Sequence, residues 1–240
     1  MDGPSPTELS GIHKRSVTLR WSVAATALIV GGCGILSSPP DPASDEIVAA
    51  RDEQTQLMDS ALSEAAAKLP GAVIGRSSVD QCYEGQRNWK VDTGYDYRCS
   101  LLISVLIGLD GDFRAQMLQF DKSLRELGWE SDNGEWPGGL VDDYWELRSG
   151  EGPDGHVQLD QLPGPFGVRR DELRILFSYG SSNDEGGLAT IDRGQQATPW
   201  CCGLPLYESQ AIQDVDRVVA EAPHDHFVLI TVEGHYYESG

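Results

Sequence analysis

Thirteen residues near the middle of the chain, Tyr97–Leu109 (YRCSLLISVLIGL), restrict the fold more than any other segment. A nearly continuous apolar run rich in Ile and Val reads as a central strand buried on both faces, so the rest of the chain has to supply layers that cover it. Asp110-Gly111 turns the chain. Asp112 then stands where it can cap a helix on which Phe113, Met117, Phe120, Leu124 and Leu127 recur at steps of four and three, with Gly128 as the stop and Trp129 folding back onto the strand layer.

The segments on either side are read in the same way. Ser44 followed by Asp45 and Glu46 starts a helix, since a capping side chain and carboxylates both suit the positive end of the dipole. Ile47, Ala50, Gln54, Met58, Ala61, Ala65 and Leu69 continue it towards Pro70-Gly71. This stripe is largely alanine and predicts a peripheral layer. Residues 144–148 and 156–162 alternate in polarity around Pro153-Asp154-Gly155 and predict a hairpin. Residues 172–179 read as a strand, 180–187 as a polar loop, and 209–222 as a helix carrying Ile212, Val215, Val218 and Val219. Residues 227–232 read as the closing strand. The order predicts an α+β fold, a single antiparallel or mixed sheet covered by helices on one face in a split β-α-β plan with an added hairpin. No Pro/Ser-rich linker divides residues 45–240, so they are expected to form a single domain.

The N-terminus carries different information. His13, Lys14, Arg15 and Arg20 precede an apolar run, residues 21–30, that ends in Gly31, Gly32 and Cys33. A basic region, a short apolar core and a zone of small residues make up a signal peptide, and ten apolar residues are half of what a membrane-spanning helix needs. Val30-Gly31-Gly32-Cys33 resembles the lipobox of bacterial prolipoproteins. The resemblance implies cleavage before Cys33 (signal peptide 1–32), acylation of its thiol, and a tether over residues 33–44. Retention of residues 1–32 as an uncleaved anchor is the alternative. Either way the bulk of the chain is expected on the extracytoplasmic side of the cell membrane. With Ser37-Ser38-Pro39-Pro40-Asp41-Pro42, residues 34–44 read as a stiff, solvated spacer. The acidic domain, the tether and the cysteines together are similar to small surface lipoproteins of actinobacteria.

Charge excludes one class of partner. Eighteen basic and 38 acidic residues give a net charge of -20. Cleavage would remove Lys14, Arg15 and Arg20 with Asp2 and Glu8, leaving 208 residues at -21. Such a domain is repelled by phosphate backbones, so nucleic acid is not expected as a partner. The partners expected are the membrane, through the lipid, and an envelope protein or cell-wall component. Beyond Cys33, an even number of cysteines remains: Cys82, Cys99, Cys201 and Cys202. Two disulfides are expected in an exported chain. Either Cys82 pairs with Cys99, leaving the adjacent pair to bridge or stay reduced, or both members of one pair are tied to the other.

Motifs for chemistry are sparse. His224 and His226, two apart on an extended segment, would project to one side and are the candidate metal ligands, with Glu233 or His235 as a third. Asp110-Gly111-Asp112 and Asp132-Asn133-Gly134-Glu135 lack the full ladder of a calcium loop. Asp142 and Asp143 are adjacent and would point apart on a strand. No phosphate-cradling or serine-nucleophile signature is present, and no cofactor is implied. Trp89, Trp129, Trp136, Trp145 and Trp200 lie in the exported part, several beside glycine-rich loops, where aromatic side chains serve binding surfaces. The function expected is a non-catalytic binding or interaction module of the cell envelope, with a metal-dependent or cell-wall-acting enzyme as the alternative.

Overall fold

The structure, a computed structural model, describes residues 39–86, 92–148, 166–182, 185–196 and 205–240, the side chains of 143–148, 185 and 186 excepted. Residues Pro39–Gly240 belong to one compact unit. The apolar run is a strand, β2 (Tyr97–Leu109), flanked on both sides by long partners, β1 (Ala72–Glu84) and β7 (His226–Ser239). With β3 (Glu130–Ser131), β4 (Phe166–Arg170), β5 (Leu173–Ser181) and β6 (Tyr207–Ala211), they form a seven-stranded sheet among the described residues. Its order is β3-β4-β5-β7-β2-β1-β6, and every neighbouring pair is antiparallel. Four antiparallel steps separate β2 from β3, so these two run parallel, with β7, β5 and β4 between them. The helix α2 (Phe113–Glu126) makes the crossover between them.

Alternation along the strands divides the core. Leu101, Ile103, Val105 and Ile107 of β2 share one face with Val228, Ile230 and Val232 of β7 and with Ile175 and Phe177 of β5. Three helices, α1 (Asp45–Ala66), α2 and α3 (Pro137–Arg148), lie on this side; Met58, Leu62, Met117, Phe120 and Val141 fill the layer. On the opposite face, α4 (Glu185–Gly194) and α5 (Val215–Glu221) cover Leu106, Phe227 and Leu229 with Ile191, Val215 and Val218. The helices therefore cover both faces and not one. The thin stripe of α1 is no peripheral layer either, because Met58, Ala61, Leu62 and Ala65 sit in the main core at 2% exposure or less. Alanine lets the helix approach the strands closely.

Local chemistry explains where the sequence expectations hold. Asp112 Oδ1 accepts from Ala115 N at 3.0 Å, and Gly128 takes φ 81°, so α2 begins and ends as its residues require. Trp129 is buried in the main core. They also explain three corrections. Residues 144–148 belong to α3, whose start is set by Pro137 and by Asp121 Oδ2 accepting from Gly139 N at 3.0 Å. Its other expected hairpin strand, 156–162, lies outside the described residues. Residues 207–211 add to the sheet beside Ser78–Cys82 as β6, and the helix begins only after Asp214, whose Oδ1 accepts from Arg217 N at 3.1 Å. The predicted loop 180–187 runs into α4, which seats against the sheet through glycine: a Cβ on Gly180 would meet Ile191 at 2.7 Å. The chain before α1 is docked, since Arg51 donates to the Pro42 carbonyl at 3.2 Å and Ala43 N to Asp41 Oδ1 at 2.9 Å. Residues 41–44 thus form a turn against the domain, while residues 34–38 of the expected spacer lie outside the described residues.

Candidate functional site

Strand β2 is buried on both faces only in its second half. In its first half the even positions Arg98, Ser100 and Leu102 are half-buried, while their neighbours 97, 99 and 101 are buried. The same face of β7 offers Thr231, Glu233 and His235, that of β5 offers Arg174, Leu176 and Ser178, and that of β1 offers Gln81 and Tyr83. These side chains floor a cleft of about 440 Å³ whose described wall is the last turn of α4, with Thr190, Arg193 and Gly194, continued by Gln196; Tyr95 closes one end. A cleft of this size, part apolar and part polar, has the dimensions of a small-ligand site.

Its frame is held by hydroxyls and amides. Ser104 Oγ lies 2.8 Å from Thr231 Oγ1 across β2 and β7, and Thr231 donates to the Gly194 carbonyl at 3.4 Å. The buried Gln195 side chain donates from Nε2 to the Gln213 carbonyl (3.1 Å) and accepts from Gln213 N (3.3 Å), joining the end of α4 to the segment before α5. A Cβ on Gly194 would meet Leu229 at 2.9 Å and Ser178 at 3.0 Å, so only glycine lets this wall sit so low.

Charge in the cleft is arranged. The Arg98 guanidinium stacks 4.0 Å from the Tyr95 ring centroid and hydrogen-bonds Glu238 through Nε (2.7 Å). Arg174 Nε donates to Asp132 Oδ2 at 2.6 Å and its Nη1 lies 4.0 Å from Glu233. Asp132 also accepts from Arg169 at 2.8 Å. Partial burial would raise the Asp132 carboxyl, but the hydrogen bonds from the two arginines outweigh it and hold the group below the ordinary carboxylate value. Partial desolvation and the Arg98 cation, opposed by Glu233 and Glu238, keep the His235 imidazole below its usual value. His235 is therefore neutral at pH 7, able both to donate and to accept a hydrogen bond.

On the other face, at the same end of the sheet, lies a second polar cluster. Arg51 of α1 pairs with Asp80 of β1 (Nε to Oδ2, 2.7 Å), and Tyr236 donates to Asp80 Oδ1 at 2.6 Å while accepting from Arg51 at 3.3 Å. Tyr207 and Tyr236 flank the guanidinium at 5.2 and 5.4 Å. Burial raises the Asp80 carboxyl despite its partners, and burial with the Asp80 hydrogen bond raises the Tyr236 phenol. A bulge in β7 opposite Cys99 and Ser100 shifts the register here. Beneath lies the disulfide: Cys82 and Cys99 are directly opposed on β1 and β2, bonded, and fully buried. Of the two pairings the sequence left open, the local one is present. Cys201, Cys202 and Cys33 lie outside the described residues.

The histidines expected to share a metal do not meet. His224 precedes β7; its ring lies over Gly108, where a Cβ would meet it at 2.0 Å, and edge-on to Phe227, on the cleft side of the sheet. Its Nδ1 is 2.9 Å from Asp110 Oδ2. His226 stacks on Phe113 at 4.9 Å, on the opposite side. The rule that residues two apart share a face holds within a strand, and the chain enters β7 only at His226. Glu233 and His235 stand seven and nine residues further along β7, some 20–30 Å at strand rise, too far to complete the set. No group of three His, Cys, Asp or Glu able to hold a metal occurs among the described residues. Trp136 packs against the core under Arg125, 4.2 Å from its ring, and anchors a loop. Trp89, Trp145 and Trp200 lie outside the described side chains.

Sequence reasoning named Glu233 and His235 only as a third metal ligand and missed the other cleft residues. Arg98 was legible as a charge inside an apolar run, and Glu233 and His235 as a same-side pair, but four strands and a helix have to meet before they form a site. Comparison of the chain with protein-family models, with curated proteins and with solved structures finds no match to any of them.

Proposed function

We propose that the chain is an extracytoplasmic lipoprotein, anchored through Cys33 to the cell membrane, that acts as a non-catalytic binding module of the envelope with the sheet-face cleft as its binding surface. The observation that carries the reading is the cleft itself: preset guanidinium groups, a neutral imidazole, amides and leucine side chains converge on about 440 Å³. The lipobox at Val30-Gly31-Gly32-Cys33 supports the anchorage. No helix among the described residues is long and apolar enough to cross a membrane. Five residues, 34–38, separate Cys33 from the first described residue, a reach of about 20 Å when fully extended. Diacylation of the thiol would provide the two chains that stable anchoring takes.

Cys33→Ala tests the anchorage. The variant is expected in the soluble fraction or as unprocessed precursor, read by fractionation and immunoblot. A variant that remains membrane-bound at mature size would sink the lipoprotein reading.

One observation favours the second reading, an enzyme acting on the cell wall. Glu233 and His235 face the same cleft from one strand, and a carboxylate beside a neutral imidazole is a workable acid-base pair. Turnover of an envelope glycan that is lost in both Glu233→Gln and His235→Gln would replace the binding reading with this one.

A further inference from the structure

We propose that the cleft binds an oxyanion carried on a ring or apolar body, the negative group held by Arg193 and Arg174 and the body lying on Leu102 and Leu176. This deepens the reading of the cleft as the binding surface and rests on it. The sequence carries 38 acidic against 18 basic residues, yet the described residues that line the cleft include three arginines and one carboxylate, Glu233. Glu238 and Asp132, just outside the lining, pair with Arg98 and Arg174, so what the hollow offers a small anion is guanidinium donors in place of the carboxylates that repel it elsewhere on the surface.

Two of the arginines are also preset. Arg98 is pinned between Tyr95 and Glu238, and Arg174 by Asp132. Arg193 donates to Thr190 Oγ1 at 3.1 Å. A guanidinium fixed before the ligand arrives loses little freedom on binding and presents its fork of donors to carboxylate or phosphate oxygens. Two leucines on the floor contribute nothing to a bare ion. They have a use if the anion is attached to something with an apolar face, such as a sugar ring or the glycerol and first methylenes of a lipid.

The test is calorimetric titration of the mature protein, purified in detergent, with glucose, glucose 6-phosphate and glucuronate, and in parallel with the soluble, deacylated headgroups of phosphatidylcholine and phosphatidylglycerol. A charged member is expected to bind at least about tenfold tighter than its neutral counterpart, the range of a charge-assisted hydrogen bond. Preference for a sugar acid assigns a soluble ligand; preference for the phosphatidylglycerol headgroup assigns a lipid. Arg193→Gln should weaken binding about tenfold, whereas Glu233→Gln should strengthen it, an opposite sign that loss of fold does not produce. Both substitutions sit on the surface of the cleft, and unchanged thermal unfolding confirms the fold. Equal binding of glucose and its acids, no binding of any probe, or a Glu233→Gln variant no tighter than the wild type would each overturn the proposal. If glucose bound and Leu102→Trp abolished its binding, the cleft would stand as the binding surface and only the oxyanion would be wrong.

Discussion

Replacing Cys82 and Cys99 together with alanine should lower the stability of the domain by about 3 kcal/mol. Closing a loop of 15–20 residues restricts the unfolded chain by about that amount, and both sulfurs are fully buried at directly opposed positions of β1 and β2. The loss extends past the bond. Ile47 and Tyr97 share the small core around the disulfide with Tyr207, Tyr236 and Tyr237, so the same change loosens the docking of α1 and of edge strand β6. In a domain of about 200 residues the effect corresponds to a fall of roughly 10 °C in Tm, measured by calorimetry or circular dichroism. An unchanged Tm would mean that the bond is absent in the protein.

Asp80→Ala should cost a comparable amount, about 2–3 kcal/mol. It leaves the half-buried guanidinium of Arg51 without its carboxylate and the Tyr236 hydroxyl without its acceptor. The magnitude lies below that of a fully buried pair because Arg51 keeps the Pro42 carbonyl and the faces of Tyr207 and Tyr236. The ion pair itself is a small net contributor, since burial lifts the Asp80 carboxyl above its usual value in spite of its partners. Two measurements follow. Exchanging both members, Arg51→Leu with Asp80→Leu, should recover part of the loss. The contribution of Asp80 should also be largest at low pH, where folded and unfolded states are both protonated, and should decline as pH rises through the raised folded-state value. Denaturant unfolding between pH 3 and 7 reads both effects; a double variant as unstable as Asp80→Ala would locate the cost in packing and not in the stranded charge.

How much of this was legible in the sequence depended on whether a segment's partners lay inside it. β2, α2 and the start of β7 carry their own signals: an apolar run, a cap with a regular stripe, a β-branched stretch. β1 was invisible because Asp80, Ser77 and Gln81, buried in the fold, interrupt any alternation that Val79 and Cys82 would show. β6 is an edge strand with four of its five residues exposed, which leaves hydrophobic patterning nothing to mark. The helix α3 was read as a strand because the group that caps it, Asp121, comes from another helix. His224 and His226 lie on opposite sides of the sheet for the related reason that strand periodicity was applied to a residue outside the strand. The cleft is the extreme case: each of its elements contributes only two or three residues, and no short motif encodes them.

The most direct test of the account is the intact mass of the protein extracted from native membranes, taken before and after reduction. The predicted result is the mass of residues 33–240 plus acyl chains, rising on reduction by two protons for Cys82–Cys99, or by four if Cys201 and Cys202 are also bonded. A mass equal to the full, unacylated 240 residues would contradict it, since the cleft would then belong to a protein held by its N-terminal segment or not held at the membrane at all.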